Sequence, residues 1–459
     1  MMSQNFNTLG LDNEVLANLE SLGYLAMTPI QAASLPAILR GQDVIAQAKT
    51  GSGKTAAYGI GVLAKIDVRK FDVQSLVLCP TRELADQVSK ELRRLARATH
   101  NIKVLTLVGG APAGPQYGSL EHGAHIIVGT PGRVKKHLEK GSLTLHNVNT
   151  LVLDEADRML DMGFYDDISD IVSRTPSARQ TLLFSATYPV TIQQLSMRFQ
   201  KNAAVVMVDA THAENEIEQL FYETAEAQKI TALCALLAQF RPESTVIFCN
   251  TKIQTQQVAD ELVRTGLRAQ ALHGDMEQKD RDRVLVAFSN KSNPILVATD
   301  VAARGLDIKD LQVVVNYDLA YDVETHIHRI GRTGRAGKLG RALSLFTPAE
   351  APKIIALEEY QKMPVIYGKI SELQKGVAGV AATAMVTLVI DGGRKSKVRP
   401  GDILGALTGE AGIPGEFVGK IDIFDNHAYV AIAETMAQKA LQQLNSGKIK
   451  GRKFRVRTL

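Results

Sequence analysis

DVIAQAKTGSGKT, residues 43–55, joins three different patterns in one short run of the chain. DVIAQA is apolar like a buried strand, AKTGSGKT (48–55) is rich in glycine, and the helical pattern AAYGIGVLAKI follows. Backbone N–H groups of a glycine-rich turn at the start of a helix form a cradle for anions. The stretch therefore predicts a P-loop in an α/β fold, with Lys54 reaching the β- and γ-phosphates of a nucleotide and Thr55 holding Mg²⁺.

Apolar runs alternate with helical patterns along most of the chain. After DVIAQA, the first 210 residues contain the strand-like runs SLVLCP, KVLTLVGG, HIIVGT, TLVLDE and QTLLFSAT. Such continuous apolar runs, separated by helices, predict a parallel sheet of right-handed βαβ units. The polar stretch DATHAENEIEQ (209–219) is predicted to be a linker, because the alternation restarts after it with STVIFCN, RAQALHGD, PILVATD, QVVVNYD and RALSLF. The sequence therefore predicts two α/β domains.

The C-terminal segment has another order of elements. AMVTLVI, FVGKIDIF, HAYVAIA and KFRVRTL are predicted strands, and RPGDILGALTG and AETMAQKALQQL are predicted helices. The resulting order βαββαβ is shared by RNA-recognition modules and by many unrelated proteins.

Charge is distributed unevenly over the chain. The net charge is +5, but residues 366–459 hold 14 Lys and Arg against 8 Asp and Glu, so the rest is nearly neutral. A concentrated positive region is typical of a polyanion binder, although a solvated basic face is the alternative.

Other features of the composition are ordinary for a soluble protein. Cys79, Cys234 and Cys249 lie far apart, so no zinc site or disulfide framework is indicated. Cys79 and Cys249 lie inside the apolar runs SLVLCP and TVIFCN, which favours buried core thiols. The N-terminus MMSQNFNTLG has no apolar signal core, and VAGVAATAMVTLVI is too short and interrupted to span a bilayer. We therefore expect a cytoplasmic protein.

LVLDEADRML (151–160) places Asp154, Glu155 and Asp157 directly after a predicted strand. Acidic residues suit a helix N-terminus, which is the structural alternative. Beside a P-loop, however, Asp154 would meet the metal, and Glu155 would orient and deprotonate the attacking water.

HRIGRTGRAG (328–337) places Arg329, Arg332 and Arg335 at every third residue, with glycines between them. A solvated basic turn is the alternative, but guanidinium groups brought close to a γ-phosphate act as arginine fingers.

Together these motifs resemble those of the DEAD-box RNA helicases, in that family's order, from about residue 6 to 346. GYLAMTPIQ (23–31) resembles the adenine-recognising Q motif, and SAT (185–187) resembles the segment that couples the ATP state to RNA. The RNA motifs of the first lobe are matched by PTRELA (80–85), Gly109-Gly110 and TPGR (130–133). Those of the second lobe are matched by VIFCNT (246–251), the pair Gln278 and Arg281, ATDVAARGLD (298–307) and HRIGRTGR (328–335).

This resemblance implies ATP and Mg²⁺ as ligands and assigns residues to them. Nucleotide contacts are implied for Phe6, Tyr24, Gln31, Ala48, Lys49, Thr50, Gly51, Ser52, Gly53, Lys54, Thr55 and Asp307, of which Gln31 would bind the adenine edge. Mg²⁺ would be held by Thr55 and Asp154. Catalytic roles are implied for Lys54, Asp154, Glu155, Ser185, Arg332 and Arg335. Asp157 and Ser185 would link the catalytic strand to the lobe interface.

RNA contacts are implied for a second set of residues. Arg82, Gly110, Thr130, Arg133, Thr299 and Arg304 would bind the sugar–phosphate backbone of one strand. Backbone contacts position RNA without reading its sequence, so specificity must come from another part of the chain.

The C-terminal stretches IDGGRKSKVRPGDILGALTG and GKIKGRKFRVR resemble the RNA-binding domain of the bacterial DbpA subfamily. That resemblance implies a hairpin of large-subunit (23S) ribosomal RNA with its adjacent duplex as the partner, and an intermediate of 50S assembly as the setting. FVGKIDIFDNHAYVAI lacks the usual stacking aromatics, and Phe424 and Tyr429 are at least as well explained by core packing. We therefore expect RNA binding by charged loops: Arg394, Lys395, Lys397, Arg399, Lys448, Lys450, Arg452, Lys453, Arg455 and Arg457. A soluble basic surface is the alternative.

The predicted fold class is α/β: two tandem RecA-like parallel-sheet domains followed by a small α+β RRM-like domain. The expected boundaries are 1–208 for the ATP-binding domain with its Q motif at 6–31, 209–219 for the linker, 220–350 for the second RecA-like domain, 351–380 for a connector and 381–459 for the RRM-like domain.

The leading hypothesis is a monomeric RNA-dependent ATPase that remodels short ribosomal RNA duplexes. A non-catalytic RNA clamp is a second hypothesis, and a P-loop enzyme acting on DNA or a small molecule is a third.

Overall fold

The computed structural model describes residues 5–48, 51–208, 217–303, 311–334, 339–373, 384–409 and 412–459. They form two compact units. The first contains the described residues up to Val208, and the second contains those from Ile217 onwards. None of the helices in these ranges has the length and apolar character needed to span a bilayer.

The first unit is built around a parallel sheet with helices on both faces. Its strands are β1 (Val44–Gln47), β2 (Ser75–Leu78), β3 (Val104–Leu107), β4 (Ile126–Gly129), β5 (Thr150–Asp154), β6 (Gln180–Ser185) and β7 (Ala204–Met207). Its helices are α1 (Asn13–Ser21), α2 (Pro29–Leu39), α3 (Lys54–Leu63), α4 (Arg82–Leu95), α5 (Ala113–Glu121), α6 (Pro131–Glu139), α7 (Ala156–Asp161), α8 (Tyr165–Ser173) and α9 (Val190–Phe199). The strand order is β3-β4-β2-β5-β6-β1-β7. The sequence analysis predicted the first six of these strands. It missed β7 because its sequence, AVVM, is short, and the strand is only half-buried.

The second unit begins with another parallel sheet. Its strands are β8 (Ile217–Glu223), β9 (Thr245–Cys249), β10 (Ala269–Leu272), β11 (Ile295–Thr299), β12 (Val313–Asn316), β13 (Gly340–Phe346) and β14 (Ile366–Gly368). Its helices are α10 (Lys229–Phe240), α11 (Lys252–Arg264), α12 (Gln278–Ser289), α13 (Asp300–Ala303), α14 (Val323–Ile330) and α15 (Ala351–Gln361). The order β10-β11-β9-β12-β13-β8-β14 repeats that of the first sheet, strand for strand. The prediction of two tandem RecA-like sheets is confirmed.

Two of the expected boundaries need correction. The predicted linker ran to residue 219, but Ile217–Glu223 forms β8, which pairs with β13 along its whole length. The predicted connector began at residue 351, but α15 and the edge strand β14 belong to the second sheet domain, since β14 pairs with β8. Both segments were misassigned because their apolar character is weak: β8 mixes polar and apolar residues, and β14 is largely exposed.

The same unit ends in a small antiparallel domain. It contains β15 (Met385–Ile390), α16 (Pro400–Thr408), β16 (Val418–Ile423), β17 (Ala428–Ala433), α17 (Glu434–Ser446) and β18 (Val456–Thr458). The sheet order is β16-β17-β15-β18, and one sheet face packs against α16 and α17. This is the predicted βαββαβ domain. The three cysteines are buried free thiols, as the sequence indicated for Cys79 and Cys249.

Candidate nucleotide and RNA sites

The glycine-rich loop lies between β1 and α3 of the first unit. Gly51 and Gly53 have φ values of 85° and 96°, a region that favours glycine. Lys54 begins α3, is buried, and donates from Nζ to the carbonyl of Ala48 at 2.8 Å. The Oγ of Ser52 is buried and makes no hydrogen bond to the described protein. The loop thus has the ammonium group, the glycine backbone and the unsatisfied hydroxyl that a polyphosphate requires.

Gln31 connects the Q motif to this loop. Its Nε2 donates to the carbonyl of Gly53 at 3.1 Å, and its Oε1 accepts from the Thr28 backbone at 2.9 Å. A Cβ at Gly53 would lie 2.5 Å from Gln31 Nε2, so the contact requires glycine. Gln31 therefore contacts the phosphate-binding loop from the capping box of α2. Its role at the adenine edge stays a prediction.

Three further residues assigned to the nucleotide, Phe6, Tyr24 and Ala48, pack into the first unit. Phe6 belongs to its core, and Tyr24 packs against that core while its hydroxyl donates to Glu91 at 2.6 Å. Burial and the neighbouring Glu91 raise the pKa of Tyr24 well above its ordinary value. Ala48 is buried, and its N–H donates to the carbonyl of Ser185 at 3.1 Å. Their contacts with the nucleotide stay predictions.

Asp154, at the end of β5, is a buried carboxylate that Tyr58 holds in place. The Tyr58 hydroxyl donates to Asp154 Oδ2 at 2.8 Å. Removal of the carboxylate from water raises the pKa of Asp154 to about 6, and the charge of Lys54 acts in the opposite direction. Sequence analysis missed Tyr58, although it follows Thr55 by three residues and so lies on the same face of α3.

Glu155 has an unusual backbone conformation for a non-glycine residue. Its φ and ψ are 51° and 52°, in the left-handed region, which costs about 1–3 kcal/mol and recurs at active sites and switch regions. Its carboxylate accepts from Arg158 Nη1 at 2.9 Å, and both side chains are buried. The remaining nitrogens of Arg158, Nε and Nη2, are buried without a hydrogen bond to the described protein. Sequence analysis missed Arg158.

Asp157 joins α7 to the SAT segment after β6. Its Oδ2 accepts from the backbone of Ala186 and of Thr187, each at 3.0 Å, and from Thr187 Oγ1 at 3.1 Å. The Oγ of Ser185 is buried with no hydrogen bond to the described residues. Within this unit the connection therefore runs through Asp157 and Thr187, while the role predicted for Ser185 stays a prediction.

The first-unit residues assigned to RNA converge at one end of the sheet. Arg82, Gly110 and Thr130 follow β2, β3 and β4, which are adjacent strands with the same direction. The guanidinium of Arg82 packs on Gly110 so closely that a Cβ at this position would overlap it. Arg133 donates to the carbonyl of Ala111 at 3.1 Å. Four residues from three separate motifs thus form one cluster.

The order of strands divides this edge into two halves. The RNA motifs follow β3, β4 and β2, whereas the nucleotide motifs follow β5, β6 and β1. Because all these strands are parallel, their carboxyl ends lie at the same edge. Asp157 and Thr187 lie in the nucleotide half.

In the second unit, Arg329 lies at the centre of a cluster of hydrogen bonds. It makes a bidentate pair with Asp300, at 2.6 and 2.7 Å, and donates to Asn250 Oδ1 at 2.8 Å and to the Asp318 carbonyl at 2.6 Å. These partners follow the adjacent strands β11, β9 and β12. In the sequence, Arg329 stood in one motif with Arg332 and Arg335. Its guanidinium instead holds the ends of three strands together and is not an exposed arginine finger.

For other predicted residues of this unit, the structure gives the position in part but does not test the role. Thr299 ends β11, is buried, and accepts from the Ala302 N–H at 3.3 Å. Arg332 is also buried, and its role as a finger stays a prediction. Five residues predicted to bind ligands lie outside the described residues: Lys49, Thr50, Arg304, Asp307 and Arg335.

The basic residues of the C-terminal domain form a surface that we call the basic edge. Two segments make it, 394–399 and 448–455. Lys450 Nζ donates to the Lys397 carbonyl at 2.9 Å, which holds the segments together. The basic edge contains Arg394, Lys395, Lys397, Arg399, Lys448, Lys450, Arg452, Lys453 and Arg455, all of them exposed. Arg457 is half-buried and pairs with Asp391 at 2.6 Å, so it contributes less positive charge.

Comparisons with known proteins agree with this geometry. Residues 28–195 match the family model for the DEAD/DEAH box helicase, residues 228–337 that for the helicase conserved C-terminal domain, and residues 387–458 that for the DbpA RNA binding domain. The ATP-dependent RNA helicase DbpA of Escherichia coli (strain K12) is 54% identical, over 99% of both chains. The chain belongs to the DEAD-box RNA helicases.

Two further relatives of this DEAD-box helicase support the assignment. The ATP-dependent RNA helicase DbpA of Bacillus subtilis (strain 168) is 36% identical over 98% of both chains. The solved structure of S. cerevisiae Dbp5 bound to RNA and ADP BeF3 has a TM-score of 0.75 at 30% identity, covering 81% of this chain and 97% of that one. This helicase is therefore an ATP-dependent enzyme with two RecA-like domains and a DbpA-type RNA-binding domain.

Proposed function

We propose that this helicase separates short duplexes of large-subunit (23S) ribosomal RNA during assembly of the 50S subunit. The basic edge binds a hairpin of that RNA, and the RecA-like domains act on the adjacent duplex. The enzyme works as a monomer in the cytoplasm, on an assembly intermediate of the ribosome.

The observation that carries this proposal is the continuity of the basic edge. Segments 394–399 and 448–455 are far apart in sequence, yet Lys450 and the Lys397 carbonyl join them. Few acidic groups pair with the cations of the basic edge among the described residues: Arg394 lies 3.8 Å from Asp425, and Lys450 lies 3.8 Å from Asp402. Exposed cations at this density suit the phosphates of a folded RNA, and binding would release counterions.

The nucleotide half of the first sheet supports ATP hydrolysis by named groups. Lys54 would bind the β- and γ-phosphates, and the carboxylate of Glu155 would take a proton from the attacking water. Asp157 would then transmit the state of this site to the SAT segment, through its three hydrogen bonds with Ala186 and Thr187.

Mg²⁺ fits the residues predicted to hold it. Asp154 is a buried carboxylate whose pKa is raised to about 6 by loss of hydration, which a nearby dication would offset. Thr55, in the first turn of α3, is the hydroxyl predicted beside it. When bound, Mg²⁺ would neutralise charge on the β- and γ-phosphates.

The test compares charge-reversal variants within the basic edge with one outside it. The double variant Lys395→Glu/Arg452→Glu should raise the concentration of 23S ribosomal RNA needed for half-maximal ATPase activity by about tenfold or more, because several phosphate contacts are lost. Lys439→Glu is the matched control, since it reverses a charge on α17 of the same domain, outside the basic edge. Activity with an unrelated single-stranded RNA should be the same in all three proteins.

Two outcomes would contradict the proposal. One is equal stimulation of the wild-type protein by 23S ribosomal RNA and by unrelated RNA. The other is an ATPase that runs equally fast without any RNA, which would favour a P-loop enzyme acting on another substrate.

A further inference from the structure

Helix α5 is attached to the first unit through a polar side chain. Gln116 is the single buried residue among its nine residues, all of which the structure describes, and it is 7% exposed. Glutamine is mostly an exposed residue, and a buried amide costs free energy unless its donors and its acceptor are paired. The helix follows Gly109-Gly110, one of the segments that the resemblance assigned to RNA, but no motif of the sequence analysis includes Gln116.

The amide of Gln116 joins two of the segments assigned to RNA. Its Nε2 donates to the carbonyl of Val108 at 3.1 Å, directly before the glycine pair. Its Oε1 accepts from Arg133 Nη1 at 3.3 Å, in the TPGR segment. An arginine can only donate and a backbone carbonyl can only accept, so these partners fix the orientation of the amide. One side chain thus connects the segments that follow β3 and β4.

His137, one turn after Arg133 on α6, binds the same oxygen of Gln116. Its Nε2 lies 3.0 Å from Gln116 Oε1, and its Nδ1 lies 2.9 Å from Ser142 Oγ. Because Oε1 is an acceptor, Nε2 is the nitrogen that carries the proton. The ring is 1% exposed, and burial lowers the pKa of His137, with the charges of Arg133 and Lys140 acting in the same direction. The surroundings therefore favour a neutral ring whose Nε2–H donates to Gln116.

The contacts of Arg133 orient it and still allow it to bind a phosphate. Besides its bond to Gln116, its Nη2 donates to the carbonyl of Ala111 at 3.1 Å, directly after the glycine pair. These contacts involve two of the five N–H groups of a guanidinium. A side chain that is oriented before RNA arrives loses less conformational entropy on binding. Gln116 therefore fixes the position of Arg133 relative to the Gly109-Gly110 loop.

We propose that Gln116 is a positioning residue for RNA binding: its amide, oriented by His137, holds Arg133 in register with the Gly109-Gly110 loop, so that both segments contact the backbone of the same strand. This inference rests on the RNA contact predicted for Arg133 in the first RecA-like domain, and not on the identity of the RNA that the basic edge binds. The alternative is that Gln116 only attaches α5 to the domain.

The first test replaces the amide by an apolar side chain of similar size. Gln116→Met removes the three hydrogen bonds. It should raise the concentration of an unrelated single-stranded RNA needed for half-maximal ATPase activity by about tenfold, because Arg133 loses its fixed position. At saturating RNA, kcat and KM for ATP should stay within about twofold of the wild-type values, since the nucleotide half of the edge is unchanged. Gln193→Met, at an exposed position of α9, is the matched control. An unchanged RNA requirement in a folded Gln116→Met protein would overturn the proposal.

Salt dependence separates positioning of Arg133 from a loss of stability. The half-maximal RNA concentration is measured over a range of salt concentrations, and both are plotted as logarithms. If Gln116→Met displaces Arg133 from its phosphate, the slope should fall by about 0.7, the value of one phosphate contact with a single strand. A variant that only loosens α5 would unfold at a lower urea concentration with the wild-type slope, and this result would overturn the proposal.

Arg133→Gln shows whether Gln116 acts through Arg133. The double variant Gln116→Met/Arg133→Gln should need at most about twice as much RNA as Arg133→Gln alone, because residues that act through one contact have non-additive effects. If the two single effects multiply instead, Gln116 acts independently of Arg133, and the proposal is overturned.

A pair of variants at His137 tests the orientation of the amide in a protein that keeps Gln116. His137→Leu removes the donor to Gln116 Oε1 and should raise the RNA requirement by about threefold or more. His137→Gln places an amide N–H near the position of Nε2 and should recover most of this loss. Equal effects of the two variants would overturn the proposed role of His137. Because all these assays use an unrelated RNA, a wild-type protein without preference for 23S ribosomal RNA would overturn only the proposed function.

Discussion

Arg158 Nη1 donates to Glu155 Oε2 at 2.9 Å, and both groups are buried. The pair fixes the side chain of the proposed general base at a residue whose backbone is also held in the left-handed region. A base must lie within hydrogen-bond reach of the water that it deprotonates, so its orientation controls the rate.

Arg158→Gln should therefore lower kcat of the RNA-stimulated ATPase by about 10- to 100-fold, while KM for ATP changes little. Arg158→Lys keeps the charge and should recover part of the loss. The measurement is steady-state ATPase activity with saturating RNA, and Arg174→Gln, at an exposed pair with Asp170, is the control. An unchanged kcat in Arg158→Gln would show that Glu155 needs no such partner.

Glu155→Gln should abolish turnover, with kcat reduced by about 10²- to 10³-fold, because the amide cannot accept the proton of the attacking water. RNA binding in the presence of ATP should persist. Glu139→Gln, at an exposed position of α6, is the control for ATPase assays and for RNA binding by fluorescence anisotropy. Full turnover by the variant would mean that the measured ATPase activity comes from a contaminant. It would then favour the hypothesis of a non-catalytic RNA clamp.

Arg329 is expected to stabilise the second unit. Arg329→Gln leaves the carboxylate of Asp300 without its bidentate partner, and breaking a buried ion pair on one side costs about 3–5 kcal/mol. Arg341→Gln, which breaks the exposed pair with Glu218, should cost below about 1 kcal/mol. Urea unfolding followed by circular dichroism measures both, and equal effects would contradict the role assigned to Arg329.

His326 should make the second unit sensitive to acid. The ring is buried on Phe221 and bonded to Gln219, and burial lowers its pKa to about 3, with Arg329 acting in the same direction. An unfolded histidine takes up its proton near pH 6.5, so between this value and about pH 3 acid favours the unfolded state. Stability is therefore lost as the pH falls below about 6.5, by up to about 1.4 kcal/mol per pH unit.

His326→Gln removes the titrating group and should reduce the loss of stability between pH 7 and pH 5, as measured by urea unfolding at each pH. His146→Gln, at an exposed position, is the control. The same slope in all three proteins would contradict this assignment.

Much of the site was predictable because its motifs are local. The P-loop, the carboxylates after β5 and the RNA motifs each lie within about ten residues of a strand end, and apolar runs mark those strands. Parallel pairing then requires that the strand ends share one edge of the sheet. The errors fell where the apolar signal is weak, at β7, β8 and β14, whose strand character comes from pairing rather than from their own side chains.

The sequence by itself determined the fold class, the nucleotide loop and the concentration of positive charge near the C-terminus, because periodicity, glycine spacing and charge are properties of neighbouring residues. Only the tertiary structure decided the partners of Gln31, Arg158 and Arg329. Gln31 and Gly53 are 22 residues apart, and Asn250 and Arg329 are 79 apart. Such contacts depend on strand order and helix packing, which no local pattern encodes.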